Sequence, residues 1–518
     1  MNRAGASALA LLLAIAGALA LRLPHLDTRP LHNDEAVNAV KLAALLEHGQ
    51  YAYDPDEYHG PALHYFSLPF LWLSGARTSD QLDDTTLRLA PVAFGVGLIL
   101  LLLLFVDGLG PTAIVWAAVF TAISPAMVFY SRYFIHEMLL VFFTALTMGA
   151  GWRWFQTRLA RWAVVAGVGV GLMWATKETF VLALAAMGIA LAWEFTLQRV
   201  RAGEQAKAWT PTLRHIAVAL LAALTVWLVL FSSLFTNWNG LADSVRTYLP
   251  WLKRAGGHSP HIHPWSFYLE RLAWFHPGKS PVWSEGLILA LAAVGAGVSL
   301  FGKKSPLHRF LAIYTITLTI IYSAIAYKTP WCALGFLHGM ILLAGVGAAA
   351  LWEFCRARVL KVFLALALGV LAFQLASQAR RAGFDFASDR RNPWVYAQTV
   401  PDIFKLTEKV EGLASVAPAG HATVVKVIAP DSDYWPLPWY LRRFEHTGWY
   451  DKLPDDAFAP VIIVSSKLNA RLDEKSDKKW VMAGMFELRP GKFLELYVEL
   501  ELWRKFVETL PREVESPP

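Results

Sequence analysis

Residues 89–106 read LAPVAFGVGLILLLLLFV, eighteen positions without a charged or hydrogen-bonding side chain. A helix needs about 20 mostly apolar residues to cross the hydrocarbon of a bilayer. Similar windows recur near 6–22, 111–129, 138–156, 162–175, 179–195, 214–235, 285–301, 308–326, 331–351 and 358–377, which predicts about eleven spanning helices. Composition agrees. Of 518 residues, 56% are hydrophobic and 17% charged, and mean hydropathy is +0.40, whereas a soluble chain carries about a quarter charged residues. The 22 Trp and 16 Tyr suit helix ends at a membrane interface. The stretch Pro61–Gly75 is shorter, is interrupted by His64 and Pro69, and reads as a helix lying along the interface. The first window ends near Ala18-Leu19-Ala20, as a cleaved signal peptide would, yet it is long enough to span and further spans follow.

Cations order these helices. With Arg3 in the cytoplasm, the cytoplasmic turns hold Arg158 and Arg161, then Arg199, Arg201 and Lys207, then Lys303, Lys304 and Arg309, then Arg356, Arg358 and Lys361. Only the turn at Asp107–Gly110 lacks one, and the opposite loops are poor in Lys and Arg for their length. The bias predicts an N-terminus inside and a C-terminus outside the cytoplasmic membrane. The net charge of +7 is spent in these short turns, and no nucleic-acid motif accompanies it. Cys332 and Cys355 fall at opposite ends of one predicted helix, roughly 35 Å apart at 1.5 Å per residue, too far for a disulfide. After the last span the composition changes. Residues 378–518 are mixed and charged, with strand-like runs at Val424–Ala429, Val461–Ser465 and Phe493–Leu502. The expected architecture is an all-α polytopic membrane bundle over 1–377, with a first outer loop at 24–88, and a small extracytoplasmic α/β domain over 378–518.

This topology sends the polar clusters to one side. The first outer loop carries His32-Asn33-Asp34-Glu35 and Glu57-Tyr58-His59-Gly60-Pro61, and Arg88 opens the next span. Later outer loops hold Ser131-Arg132-Tyr133-Phe134-Ile135-His136-Glu137, Thr176-Lys177-Glu178-Thr179, the histidines 258, 261 and 263, and Tyr327-Lys328-Thr329-Pro330-Trp331. Ionisable groups at the ends of apolar helices are costly and need partners. Five loops collecting both signs on one face suggest a site for an anionic head group attached to a lipid. Blander readings stand beside this one. Arg132 with Glu137, or Lys177 with Glu178, would serve as structural ion pairs, and Lys328 would snorkel to the interface. His258, His261 and His263 have a spacing that suits zinc but also suits an ordinary loop. Trp435-Pro436-Leu437-Pro438-Trp439-Tyr440 reads as packing, with Asp431 and Asp433 beside it unassigned.

The strings HNDEAVNAVK (32–41), YDPDEYHGPALHY (53–65), SRYFIHE (131–137), TKET (176–179), YKTPW (327–331) and WPLPWYLR (435–442) resemble those of the GT-C superfamily. That superfamily includes protein O-mannosyltransferases and lipid A aminoarabinose transferases. The strings are most similar to those of the archaeal and bacterial "flippase activity-associated" membrane proteins. The resemblance covers nearly the whole chain, most strongly its first 180 residues. One departure is His59-Gly60-Pro61, where many relatives have Lys or His followed by Pro-Pro.

The resemblance implies transfer of a sugar from a polyprenyl-phosphate carrier to an extracytoplasmic acceptor, which would be a protein, a lipid or a glycan. Such transfer needs a base near the acceptor hydroxyl and positive charge near the departing phosphate. Asp34 matches the family's first-loop aspartate and is the expected base, with Glu35 holding the acceptor or a metal. Arg88, Arg132, Lys177 and Lys328 are the expected phosphate partners. His136 and Glu137 would ligate a divalent cation (Mg, Mn or Zn) with a first-loop carboxylate; His59, Glu178, His261 and His263 are further candidates. Displacement from the face opposite the leaving phosphate would invert the anomeric centre. Two other classes remain at this level. A lipid-linked sugar flippase would show repeated halves and midplane polar residues, and neither is seen. A non-catalytic partner in envelope glycan assembly is not separated from an enzyme by residue types alone.

Overall fold

A computed structural model describes residues 3–56, 59–202, 212–256, 259, 261–302 and 305–511. Glu57, Tyr58 and His258, and the turn cations Lys207, Lys303 and Lys304, lie outside the described residues. The chain divides into two compact units: residues 1–26, 44–75 and 85–396, and residues 27–43, 76–84 and 397–518. Two pieces of what the sequence presents as one membrane-domain loop therefore cluster with the C-terminal residues.

In the first unit every one of the eleven apolar windows is helical. Among the described residues eight helices are long and apolar enough to cross a membrane unaided; Ala160–Trp174 and Gly286–Phe301 are shorter, and Pro111–Ile123 with Pro125–Ser131 forms an apolar pair bent by 59°. Small residues set how closely these helices approach. A Cβ at Gly295 would overlap the Leu343 carbonyl, and one at Gly347 would overlap that of Leu291, so Gly286–Phe301 and Leu334–Phe354 meet backbone to backbone. Arg309, read from the sequence as a turn cation, is buried within its helix. Its Nε and Nη2 donate to Glu194 at 2.6 and 2.8 Å, joining Pro306–Ala324 to Phe180–Ala202. Both charges are neutralised by a partner in an apolar setting, as lipid-embedded groups must be.

The bent span shows how backbone polarity is managed without water. At the break Ser124 is extended and Pro125 opens the second helix, so amides and carbonyls on either side lose their helical partners. The guanidinium of Arg22 donates to the carbonyls of Thr121 and Ala122, each at 2.8 Å. The carboxylate of Glu285 accepts from Ala126 N–H and Ser124 Oγ, each at 2.9 Å. A cation thus covers the carbonyl end of one half-helix and a carboxyl oxygen the amide end of the next. The second half-helix then delivers Ser131, Arg132 and Tyr133. Pro61–Gly75 contains the helix Ala62–Ser74, closed by Gly75 at φ +80°. At 13 residues it extends about 20 Å, and Trp72 and Leu73 at its end are exposed.

The second unit is built on five strands: β1 (Val425–Ile428), β2 (Thr447–Tyr450), β3 (Val461–Ser465), β4 (Trp480–Arg489) and β5 (Lys492–Glu499). Their order is β2-β1-β3-β5-β4; β2, β1 and β3 run parallel, and β5 is antiparallel to both β3 and β4. Helices Asp402–Val416 and Leu500–Thr509 pack on one face through Leu406, Val410, Leu502 and Phe506. The strand expected over Phe493–Leu502 stops at Glu499. There the apolar spacing changes from alternation at 494, 496 and 498 to a four-residue step at 502 and 506, which is helical.

Candidate functional site

In the membrane unit the residues flagged from sequence form one hydrogen-bonded layer around Gly60. Gly60 N–H donates to Thr176 O at 3.1 Å and Ala62 N–H to Ala175 O at 2.8 Å, pinning the 59–62 turn against the 175–178 turn. A Cβ at Gly60 would fall on the Ala175 carbonyl, so the departure from Pro-Pro at this point accompanies a backbone approach that only glycine permits. His59 Nδ1–H donates to Glu178 Oε2 at 2.8 Å. His136 Nε2–H donates to Gly60 O at 3.0 Å, and its ring meets those of His59 and His64 edge-on, with centroids 5.1 and 5.9 Å apart. Lys177 pairs with Glu137, both side chains being 6% exposed. The pairs expected from sequence adjacency, Lys177 with Glu178 and Arg132 with Glu137, are thus not the ones formed.

Electrostatics follow this arrangement. Burial alone would raise the Glu178 carboxyl, but His59 and Lys177 outweigh it and pull the group down to about 2. Burial, then the neighbouring His59, His64 and Lys177, pushes the His136 imidazole well below its ordinary range, so it stands neutral as a donor to Gly60. Beneath the layer lies a cavity of 20 Å³ lined by Glu137, Lys177, Thr144, Tyr314, Tyr322 and Cys332, room for about one water. A larger apolar cavity of 290 Å³ is lined by Tyr65, Phe66, Leu172, Val226, Val229 and Leu230.

The four cations expected at the phosphate are engaged with protein groups. Arg88 donates to Leu26 O. Arg132 donates to the carbonyls of Arg22, Pro24 and His25 at 2.9, 2.7 and 2.8 Å, capping the first span. Together they fix the backbone that follows the first helix. Lys177 holds Glu137, and Lys328 Nζ donates to Ile325 O and, at 3.2 Å, to His263 O. His261 Nδ1 and His263 Nε2 both meet the Tyr396 hydroxyl, at 2.8 and 2.9 Å. His136 and Glu137 have Gly60 and Lys177 as partners and form no common ligand set. Among the described residues no three His, Cys, Asp or Glu side chains are grouped to hold a metal ion. One residue was missed in the sequence. Arg271 lies over the Phe267 ring at 3.6 Å, with Nε buried and without a hydrogen-bond partner among the described residues. Its signal was slight: a lone cation in the short helix Phe267–Ala273, with aromatic residues four positions to either side.

The acidic pair lies in the second unit, where its members differ sharply. Glu35 is fully buried; it accepts from Arg29 Nη2 at 3.2 Å and from His32 N–H at 2.9 Å. Asp34 keeps a side chain 45% exposed, 3.6 Å from His32 Nδ1. That nitrogen also accepts Asp34 N–H at 3.1 Å, so it carries no proton. Burial is the main reason the His32 imidazole is pushed below its ordinary value. The WPLPWYLR string anchors this loop. Trp439 Nε1–H and Tyr440 O–H donate to the Asp84 carboxylate at 2.8 and 3.1 Å, and Leu31 N–H donates to the Tyr440 oxygen at 2.8 Å. Arg442 reaches the carbonyls of Ser79 and Leu82, and Gln398 reaches that of Pro30.

Residues 60–238, about a third of the chain, match the family model of dolichyl-phosphate-mannose-protein mannosyltransferases. No curated protein shows significant sequence similarity. Among solved structures, ArnT from Cupriavidus metallidurans bound to undecaprenyl phosphate superposes with a TM-score of 0.66 at 12% identity, over 97% of this chain and 99% of that one. Its apo form gives 0.63 at 14% identity, over 95% and 98%. The Archaeoglobus fulgidus oligosaccharyltransferase tethered with an acceptor peptide gives 0.54 at 13%, over 86% of this chain and 63% of that one. The chain has a GT-C fold. The matched family segment holds the Gly60 layer from Gly60 to Glu178, with His59 one residue before it, while Asp34 and Glu35 also fall before it.

Proposed function

We propose that this GT-C protein is a membrane glycosyltransferase that moves a sugar from a polyprenyl-phosphate carrier to an acceptor outside the cytoplasmic membrane, with its N-terminus inside and its C-terminal unit outside. The observation that carries the reading is the asymmetry of the acidic pair: Glu35 is buried and neutralised by Arg29, while Asp34 remains an exposed carboxylate beside an unprotonated imidazole nitrogen. That is the state a general base requires. The mannosyltransferase family match and the undecaprenyl phosphate held by ArnT support a lipid-phosphate donor.

Asp34 takes the proton of the acceptor hydroxyl as that oxygen attacks the anomeric carbon. The bond from that carbon to the carrier's phosphate oxygen breaks, and its electron pair leaves with the polyprenyl phosphate, so the centre inverts. Charge grows on the departing phosphate, and donors already in place stabilise it most effectively. Within the membrane unit, His59 and Arg271 are the cations left for a donor phosphate: Glu178 occupies His59 Nδ1, leaving Nε2 of a partly exposed ring to donate when it is protonated, and Arg271 Nε has no hydrogen-bond partner among the described residues. Arg88, Arg132 and Lys177 hold the backbone and helix ends that carry the site, and Lys328 braces the His261–His263 turn.

The test is transfer by protein purified into nanodiscs, given labelled polyprenyl-phosphate hexose and a panel of protein, lipid and glycan acceptors. Label appearing on an acceptor supports the reading. Movement of the lipid across a vesicle with no transfer to any acceptor would replace it with a flippase.

A further inference from the structure

Three cations in the second unit converge on one carboxylate. Asp433 Oδ2 lies 3.0 Å from Lys492 Nζ and 3.2 Å from Lys467 Nζ, while its Oδ1 pairs with Arg489 Nη2. These residues come from three places: the loop after β1, the turn after β3, and the paired positions that flank the β4–β5 turn. Two ammonium groups share a single oxygen, so they repel each other, and the contact set is left with two surplus positive charges. Asp431, exposed on the same loop, adds a more distant negative charge that Lys467 feels. The lysines are 45% and 40% exposed, whereas Asp433 and Arg489 are largely buried.

The loop itself is forced into shape. Asp431 and Ser432 both have positive φ, +57° and +54°, although neither is glycine. Such conformations are costly and persist where the surroundings impose them, typically at ligand clamps and active sites. Here the imposition comes from the Asp433 contacts and from Ser432 N–H donating to Asp451 at 3.2 Å. Hydrogen bonds connect the cluster to the loop of the acidic pair: Val400 N–H donates at 3.1 Å to the carbonyl of Leu488, the neighbour of Arg489, and Gln398 donates at 2.9 Å to that of Pro30.

We propose that Lys467, Arg489 and Lys492 form an anion subsite for a phosphate-like dianionic group on the acceptor, beside Asp34. The proposal rests on the reading of Asp34 as base. Asp433 spaces the cations when no acceptor is bound, and a dianion seated against the exposed lysines cancels the surplus that Asp433 leaves. Charge-assisted contacts of this kind are the strong ones, and they would orient an acceptor hydroxyl without taking part in the chemistry.

The test uses the full chain in phosphatidylcholine nanodiscs with inorganic phosphate as the probe, followed by ³¹P line broadening. Saturable binding is expected, and Lys467→Gln/Lys492→Gln should weaken it about tenfold or more, while Lys452→Gln, an exposed lysine elsewhere in the unit, leaves it unchanged. Equal binding by the double variant and the native protein, or an equal loss in Lys452→Gln, overturns the subsite. Because this readout needs no turnover, it stands apart from the transfer assay. With an acceptor in hand, the double variant should raise the acceptor KM and leave kcat and donor hydrolysis unchanged; a fall in donor hydrolysis would contradict a purely acceptor-side role.

Discussion

Replacing Lys177 by Met tests whether the Glu137–Lys177 pair supports the layer around Gly60. Both side chains are 6% exposed, so the variant strands a buried carboxylate. Breaking such a pair by removing one partner costs about 3–5 kcal/mol. The adjoining 20 Å³ cavity admits about one water to the stranded group, which argues for the low end. The expected loss is about 3 kcal/mol, roughly 150-fold in the ratio of folded to unfolded protein. Removing both charges, as Glu137→Leu/Lys177→Met, leaves nothing stranded and should restore most of that loss. The assay is a double-mutant cycle in mixed micelles, read by unfolding in increasing SDS. If Lys177→Met costs less than about 1 kcal/mol, the range of a surface pair, or if the two single losses simply add, the pair does not hold this layer together.

Other consequences are more direct. The Glu178 carboxyl titrates near 2 in the folded protein against an ordinary 4.5, so its stabilising contribution is full above about pH 4.5 and is lost as pH falls toward 2. Glu178→Gln should therefore flatten the acid limb of a stability–pH curve in that window, and an unchanged limb would contradict the assignment. Gly60→Ala pushes a methyl group into the Ala175 carbonyl and should cost about 1–3 kcal/mol, measured by thermal unfolding. Arg271→Ala should raise the donor KM about tenfold or more, with Arg271→Lys recovering only part because a point charge replaces a planar fork; steady-state kinetics over donor concentration decide this.

The helices of the membrane unit were legible because a bilayer imposes a one-dimensional rule, apolar windows near 20 residues. The window at 111–129 was read as one straight span, and its 59° bend at Pro125 was not foreseen. Its caps could not be, since Arg22 and Glu285 lie about a hundred and more than 150 residues from the backbone groups they satisfy. The charged residues at the helix ends were found, but their partners were misread for the same reason. Lys177 adjoins Glu178 in sequence, yet it bonds Glu137 forty residues away. WPLPWYLR read as packing, and it does pack, but its hydrogen bonds to Asp84, Ser79 and Leu31 join residues more than 350 positions apart. No local pattern carries such information. Arg271 escaped notice because its distinguishing feature, an unpartnered buried nitrogen, exists only in the folded chain.

The central claim rests on the exposed carboxylate of Asp34, and Asp34→Asn addresses it with almost no change of shape. Single-turnover transfer from a labelled polyprenyl-phosphate sugar should fall about 10²–10⁴-fold, while the variant still retains the labelled donor in a binding assay. Transfer at the native rate by Asp34→Asn would show that the proton goes elsewhere, and the assignment of Asp34 as the base would be wrong.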